Sequence, residues 1–236
     1  MDAPRVKICG LMEIEDARAV GEAGADYVGA VLAPGTPRAV SPDRAAEIGR
    51  ASGLPLVLVM VDPAPAEAEA WAQASGASVL QLHGEEPPDQ VADLRRRGPW
   101  DVWKALRVRR GTDAVERVAA FTEVADGILL DSWHPARPGG TGRSFAWEGV
   151  EAVRAAVEER GMGLGVAGGL SPDNVAEAVE RLRPSLVDVS SGVEVSPGRK
   201  NPQRVRDFVG AVRGGHGAEG RRAALGVGHE RTGGAG

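Results

Sequence analysis

The single cysteine of the chain lies in its first apolar stretch, VKICGLM. If this stretch is a β-strand, side-chain alternation places Val6 and Ile8 on one face and Lys7 and Cys9 on the other. A thiol can act as a base only when it is ionised, and a lysine on the same face is a candidate for stabilising the thiolate. The alternative is that Cys9 is a small buried apolar residue and that Lys7 pairs with an inward carboxylate such as Asp188. This strand by itself does not choose between packing and chemistry.

Three further predicted strands carry polar side chains on the face that their aliphatic residues leave free. Gln81 and His83 share a face in SVLQLHG, Asp131 ends GILLD, and Asp188 and Ser190 share a face in LVDVSSG. An isolated inward polar residue is usually a core group with its own hydrogen-bond partner. A convergent set at several strand ends indicates a functional site instead.

Glycine-rich stretches follow the last three predicted strands, at 139–142, 167–174 and 190–194. Glycine lets the backbone approach a ligand closely, and N–H groups near a helix start bind phosphate. Each stretch alone could be a plain turn. Two of them follow the seventh and eighth strands, where barrels of parallel strands often bind phosphate, so the pattern predicts a phosphate site.

The elements that must position these residues alternate regularly along the chain. About eight apolar, β-rich runs are each followed by an amphipathic segment, many of which begin after Ser, Thr, Asp or Pro. This pattern predicts an α/β protein, a single-domain (β/α)₈ barrel over residues 1–213. A doubly wound open sheet is the competing architecture, but the middle of the chain contains no linker. We predict that the glycine-rich tail, 214–236, is disordered.

Composition excludes several classes of function. The formal net charge is −5, so the chain has no overall basic excess to attract nucleic acid or an acidic membrane surface. Neither a signal-peptide core nor a stretch of ~20 apolar residues is present, and one cysteine cannot form an internal disulfide. We therefore expect a cytoplasmic protein. The absence of CxxC, HExxH and P-loop patterns leaves no motif for a metal or nucleotide.

Seven motifs of the chain match those of one protein family. In order along the chain they are KICG, the Pro37-Arg38 turn, QLHGEE, LLDS, GGTGRSFAW, VAGGLSPDNV and VDVSSGVEVSPGRKN. Together they resemble the phosphoribosylanthranilate isomerase family of tryptophan biosynthesis. The resemblance runs from residue 5 to about residue 213.

The resemblance implies an aldose-ketose isomerase that carries out an Amadori rearrangement. N-(5-phosphoribosyl)anthranilate becomes 1-(2-carboxyphenylamino)-1-deoxyribulose 5-phosphate, without a cofactor or metal. The general acid implied is Asp131 and the general base is Cys9. Burial at the barrel mouth and a nearby substrate anion would raise the pKa of Asp131, as an acid requires.

The family match also implies binding roles. Arg38 would bind the anthranilate carboxylate with its planar fork. Gln81 and His83 would line the anthranilate side, although His83 could instead be a structural hydrogen-bonding residue, and Asp188 would orient neighbouring donors or contact a ribose hydroxyl. The implied phosphate-binding residues are Gly142, Gly168, Gly169, Ser190, Ser191 and Gly192.

Some positions depart from the family pattern. Leu11 and Met12 follow KICG where a hydroxyl or basic residue is common, and Asn201 stands where aspartate is usual. The related histidine-pathway isomerase, or a dual-substrate version, is a competing function, but it would carry aspartate in place of Cys9. A non-catalytic phosphate-binding barrel is a third hypothesis. The sequence allows a monomer or a homodimer that acts on a small phosphorylated substrate.

Overall fold

Eight parallel strands form a closed barrel in sequence order. The computed structural model describes residues 3–108, 114–132 and 150–214. The barrel closes because β1 pairs with β8, which excludes the open doubly wound sheet. The barrel strands are β1 (Arg5–Ile8), β2 (Tyr27–Val31), β3 (Leu56–Met60), β4 (Val79–Leu82), β5 (Asp101–Val108), β6 (Gly127–Ser132), β7 (Leu164–Ala167) and β8 (Leu186–Val189).

Helices follow the strands, and several begin and end at the residues that chain chemistry favours. Proline occupies the first turn of α2, α3 and α4, and the Ser41 hydroxyl accepts a hydrogen bond from the Arg44 N–H. Asn201 caps the last helix, because its Oδ1 accepts N–H bonds from Gln203 and Arg204. The change from aspartate to asparagine therefore keeps the helix start. The helices are α1 (Ile14–Glu22), α2 (Pro42–Ser52), α3 (Pro65–Ser75), α4 (Pro88–Arg97), α5 (Ala114–Ala119), α6 (Val150–Glu158), α7 (Val175–Leu182) and α8 (Pro202–Gly214).

The core has two layers. The larger layer lies between strands and helices, and it includes the aliphatic residues of β1, β4, β6 and β8 that alternation assigned to the helix-facing side. The smaller layer fills the barrel, where the buried Trp103 contacts Tyr27 edge-on, with ring centroids 5.2 Å apart. The predicted helix-facing placement of the aliphatic residues is confirmed, whereas the inside of the barrel holds apolar residues such as Val79, Leu129 and Leu186 as well as polar ones.

A short hairpin after β8 was not predicted. A 3₁₀ turn (Ser191–Val193) leads into β9 (Glu194–Ser196), which pairs antiparallel with β10 (Arg199–Lys200). The carboxylate of Asp16 accepts the backbone N–H of Lys200, and Met12 packs against Gly198 at the turn. Met12 therefore supports this hairpin.

Helix α8 ends at Gly214, the first residue of the predicted tail. The rest of that tail lies outside the described residues, so its disorder stays a prediction. Within the described ranges, no helix is long and apolar enough to cross a membrane.

Candidate active site

Cys9 lies at the carboxyl end of β1, beside a buried ion pair. Lys7 Nζ is 2.8 Å from Asp188 Oδ2, and the two residues are register partners on neighbouring strands. The Lys7 side chain is fully buried, whereas Cys9 is 9% exposed. Asp188 Oδ1 is buried without a hydrogen-bond partner among the described residues. The pairing of Lys7 with an inward carboxylate is therefore present, and the second carboxylate oxygen has no partner among the described residues.

Gly29 on β2 makes room for this cluster. A Cβ at Gly29 would lie 3.0 Å from Cys9 Sγ and 3.1 Å from Lys7 Cε, closer than ordinary van der Waals contact. Its backbone does not require glycine, since its φ is not positive. The missing side chain is thus a steric requirement of the thiol and the lysine stem.

The electrostatic surroundings of Cys9 do not by themselves favour the thiolate. Burial raises the pKa of the thiol, the positive charge of Lys7 lowers it, and the negative charge of Asp188 raises it again. The net direction is upward. Burial also opposes the charge of Lys7, but Asp188 and Cys9 outweigh it and raise the pKa of the ammonium. Lys7 is therefore charged and forms an ion pair with Asp188.

Asp131 lies at the carboxyl end of β6 against His83, which follows β4. Asp131 Oδ2 is 3.0 Å from His83 Nε2, but the pair lacks hydrogen-bond alignment. The two side chains are 24% and 18% exposed, so Asp131 is less buried than the sequence argument assumed. Both side chains therefore meet at the barrel mouth, where an incoming ligand can reach them.

Gln81 lies one inward position below His83 and is buried. Its Oε1 and the indole N–H of its register partner Trp103 have no hydrogen-bond partners among the described residues. Gln81 therefore presents a polar group inside the barrel, beneath the mouth.

Arg38 makes a bidentate pair with Glu194, a residue to which the sequence analysis assigns no role. Its Nε and Nη2 donate to Glu194 Oε1 and Oε2 at 2.9 and 2.6 Å. Lys200 Nζ donates to Glu194 Oε1 at 2.7 Å and lies 3.3 Å from the Ser190 carbonyl oxygen. Burial would raise the pKa of Glu194, but hydrogen bonds from Arg38 and Lys200 outweigh it and lower that pKa to about 2. Glu194 is therefore a carboxylate shared by two cations.

The two glycine-rich loops predicted to bind phosphate lie against each other. Gly168 and Gly169 have φ values of +91° and +67°, a conformation that favours glycine. A Cβ at Gly192 would overlap the carbonyl oxygen of Leu170, so the second loop can pack on the first only with glycine there. Ser190 and Ser191 belong to this second loop. The structure thus brings these five residues together beyond β7 and β8, while Gly142 lies outside the described residues.

Comparison with known proteins places this arrangement. The family model of N-(5'-phosphoribosyl)anthranilate isomerase matches residues 6–211. The chain belongs to this family.

This chain matches two curated relatives over nearly the whole of their length. The isomerase of Pseudomonas aeruginosa (strain UCBPP-PA14) is 45% identical over 216 residues, which are 90% of this chain and 97% of the relative. That of Chromohalobacter salexigens is 42% identical over 212 residues, covering 90% and 95%.

Solved structures of the same family resemble this barrel. The Thermotoga maritima phosphoribosyl anthranilate isomerase has a TM-score of 0.79 at 36% identity, covering 89% of this chain and 99% of that one. A phosphoribosyl anthranilate isomerase in complex with reduced 1-(o-carboxyphenylamino)-1-deoxyribulose 5-phosphate has a TM-score of 0.77 at 35% identity, with the same coverage. The predicted barrel and the predicted family are both confirmed.

A second buried ion pair, Lys104 with Glu86, supports the backbone of this site. The sequence alone does not predict it. Lys104 Nζ lies 2.6 Å from Glu86 Oε2 and 2.7 Å from the Gly84 carbonyl oxygen. Glu86 Oε1 also accepts the backbone N–H groups of Asp62 and Gly84. The pair ties the loop after β3 to the loop that begins with His83. It therefore fixes the backbone that presents His83 to Asp131.

Three of the four missed residues lay within motifs that the sequence displayed, and Lys104 on β5 did not. Glu86 ends QLHGEE, and Glu194 and Lys200 lie within VDVSSGVEVSPGRKN. Glu194 and Lys200 are register partners in the unpredicted hairpin, so recognising that hairpin would have found the pair. Among the described residues, no group of three or more His, Cys, Asp or Glu is arranged to hold a metal. A reaction without a metal or cofactor stays a prediction.

Proposed function

We propose that this protein converts N-(5-phosphoribosyl)anthranilate into 1-(2-carboxyphenylamino)-1-deoxyribulose 5-phosphate, with Asp131 as general acid and Cys9 as general base. The observation that carries the proposal is membership of the isomerase family across residues 6–211. The geometry supports it, because both groups lie at carboxyl ends of barrel strands, where barrel enzymes carry their chemistry. The step belongs to tryptophan biosynthesis.

Asp131 begins the reaction by protonating the furanose ring oxygen, so that the C1–O bond breaks and the ring opens to an imine that is protonated on nitrogen. Its exposure of 24% leaves the carboxyl accessible to substrate. His83, 3.0 Å away, borders the same space and can orient the acid or contact the substrate.

Cys9 then removes the C2 proton to give an enolamine, which tautomerises to the ketone. Burial raises the pKa of the thiol, so the thiolate, once formed, is a stronger base. As the enolamine becomes the ketone, C1 gains a proton and the C2 hydroxyl loses one. Through these transfers Cys9 gives up its proton and Asp131 regains one, so the isomerisation consumes no net proton.

Different residues at the barrel mouth bind the two anionic groups of the substrate, its carboxylate and its phosphate. Arg38 retains donors beyond the two that Glu194 uses, and a guanidinium suits the anthranilate carboxylate. The paired glycine loops lie beyond β7 and β8, where barrels of this kind often bind phosphate. The unpaired oxygen of Asp188 can accept a ribose hydroxyl.

Loss of phosphoribosylanthranilate fluorescence with the purified protein tests the function. We expect turnover in the wild type and its near-complete loss in Cys9→Ala and Asp131→Asn, with urea unfolding curves that show intact folding. Asp89→Asn removes an exposed carboxylate from α4 and should leave turnover unchanged. Full turnover in folded Cys9→Ala would remove the base assignment, although it would leave the isomerase activity itself intact.

Two other outcomes would redirect the proposal. Turnover of the histidine-pathway aminoaldose would extend or replace the substrate, although that enzyme carries an aspartate where this chain has Cys9. Tight binding of reduced 1-(o-carboxyphenylamino)-1-deoxyribulose 5-phosphate, without turnover of N-(5-phosphoribosyl)anthranilate, would favour a non-catalytic barrel.

We also propose that the protein acts in the cytoplasm as a monomer or homodimer. A relative from Thermotoga maritima is described as dimeric. Sedimentation at several protein concentrations would distinguish the two states.

A further inference from the structure

The charged residues around Cys9 form two ion-paired clusters, and the first cluster has no net charge. Lys7 and Asp188 are 2.8 Å apart, so one ammonium and one carboxylate compensate each other. A thiolate beside this pair feels attraction from Lys7 and repulsion from Asp188. Asp188 therefore opposes part of the stabilisation that Lys7 gives the thiolate through its charge and its hydrogen bond.

The second group has one positive charge in excess. Arg38 and Lys200 share the single carboxylate of Glu194, whose side chain is 4% exposed. Two cations and one anion leave one charge uncompensated within the described residues. The Lys200 and Glu194 side chains are 1% and 4% exposed, so solvent screens their charges weakly.

This group reaches the backbone next to Cys9. Gly10 follows Cys9 with a φ of +71°, and a Cβ there would lie 2.5 Å from Arg38 Cδ and 2.9 Å from Ser190 Oγ. The arginine stem therefore crosses directly over the residue after Cys9. Lys200 Nζ approaches the same place from β10, 3.3 Å from the Ser190 carbonyl oxygen.

We propose that the excess positive charge of Arg38, Glu194 and Lys200 adds to that of Lys7 in stabilising the Cys9 thiolate in the free enzyme, and that Glu194 limits the size of this added stabilisation. Lys200 and Glu194 are thus positioning residues that act through Cys9. Their role in catalysis rests on the proposed function of Cys9 as base.

The mutual influence of the groups supports this assignment. The charge of Lys200 lowers the pKa of Cys9, and a Cys9 thiolate raises the pKa values of Lys200 and Arg38. Burial lowers the pKa of Lys200, and its bond to Glu194 opposes that effect. The charged groups that interact with Cys9 from the surrounding elements are Lys7 on β1, Asp188 on β8, Lys200 on β10 and Arg38 after β2, and Glu194 on β9 acts through its ion pairs with Arg38 and Lys200.

Because Cys9 is the only cysteine, its titration can be followed without ambiguity. The Cβ chemical shift of carbon-13-labelled cysteine reports the thiolate fraction against pH and requires no access to the thiol. Lys200→Met removes the excess charge and should raise the pKa of Cys9 by about one unit, a roughly tenfold loss of thiolate below that pKa. Glu194→Gln adds to the excess and should lower it by a similar amount.

The double variant separates charge from damage to the fold. Glu194→Gln combined with Lys200→Met restores one excess charge, so its thiol pKa should return toward the wild-type value. Arg199→Met removes a positive charge from the neighbouring, exposed position and should leave the titration unchanged. Shifts of the same sign in both single variants, or no shift in either, would overturn the inference.

A second measurement distinguishes this inference from the proposed function. The pH profile of turnover should move with the thiol titration in each variant. If the titration moves as expected but folded Cys9→Ala remains active, then the base assignment fails and the charge inference stands. If Cys9→Ala is inactive and the titration does not move, then the charge inference fails alone.

Discussion

Acid should destabilise this protein partly through Glu194, and substitution of that residue by glutamine isolates its contribution. The pKa of Glu194 falls from 4.5 to about 2 in the folded state because Arg38 and Lys200 donate to its carboxylate, which outweighs burial. A depressed pKa contributes stability above the unfolded value, and that stability is lost as the pH falls through the folded value. The shift corresponds to about 3 kcal/mol, of which about 2 kcal/mol should disappear between about pH 6 and pH 3.

Urea unfolding of the wild type and Glu194→Gln at both pH values tests this estimate. At about pH 6 the variant should be the less stable, because Arg38 and the buried Lys200 lose their carboxylate. The difference in unfolding free energy should shrink by about 2 kcal/mol at about pH 3. Glu47→Gln disrupts an exposed ion pair and should change the stability by less than about 1 kcal/mol at either pH. A wild-type advantage that is equal at both pH values would refute the reasoning.

Three further substitutions test the packing and charge of the site. Gly29→Ala should cost about 1–3 kcal/mol and lower turnover, because the new methyl group displaces the Cys9 thiol; equal stability in urea unfolding and equal turnover would contradict the steric role. Asp188→Asn should cost about 3 kcal/mol by leaving the Lys7 ammonium buried without its carboxylate, and adding Lys7→Met should recover most of that loss in the same assay. Glu86→Gln should cost about 3 kcal/mol of stability by leaving the Lys104 ammonium buried without its carboxylate. It should also reduce kcat more than it raises KM, because the loop that holds His83 beside Asp131 loosens. An unchanged kcat would show that this ion pair serves stability alone.

Local chemistry predicts much of this molecule correctly. Alternation along β1, β4, β6 and β8 assigned the aliphatic residues to the helix-facing core, and the structure confirms that division. The regular strand and helix order predicted the barrel, because parallel strands need crossover helices and eight such units can close on themselves. These features depend on neighbours in sequence, so the sequence carries them directly.

The charge partners of the site could not be predicted in the same way. Inward-facing Lys7 and Asp188 were a named alternative, yet only strand closure brings β1 against β8 and sets their distance. Arg38 was predicted to bind a carboxylate, but the carboxylate of Glu194 lies 156 residues further along the chain. Such pairs depend on the register of distant elements.

What the sequence determined by itself is therefore the barrel, its two faces and the placement of Cys9 and Asp131 at strand ends. What only the tertiary structure decided is the electrostatic balance around Cys9. That balance sums charges from β1, β8, β10 and the loop after β2, and each contribution changes with distance and burial. A linear pattern contains the charges, but their separations exist only once the barrel has closed.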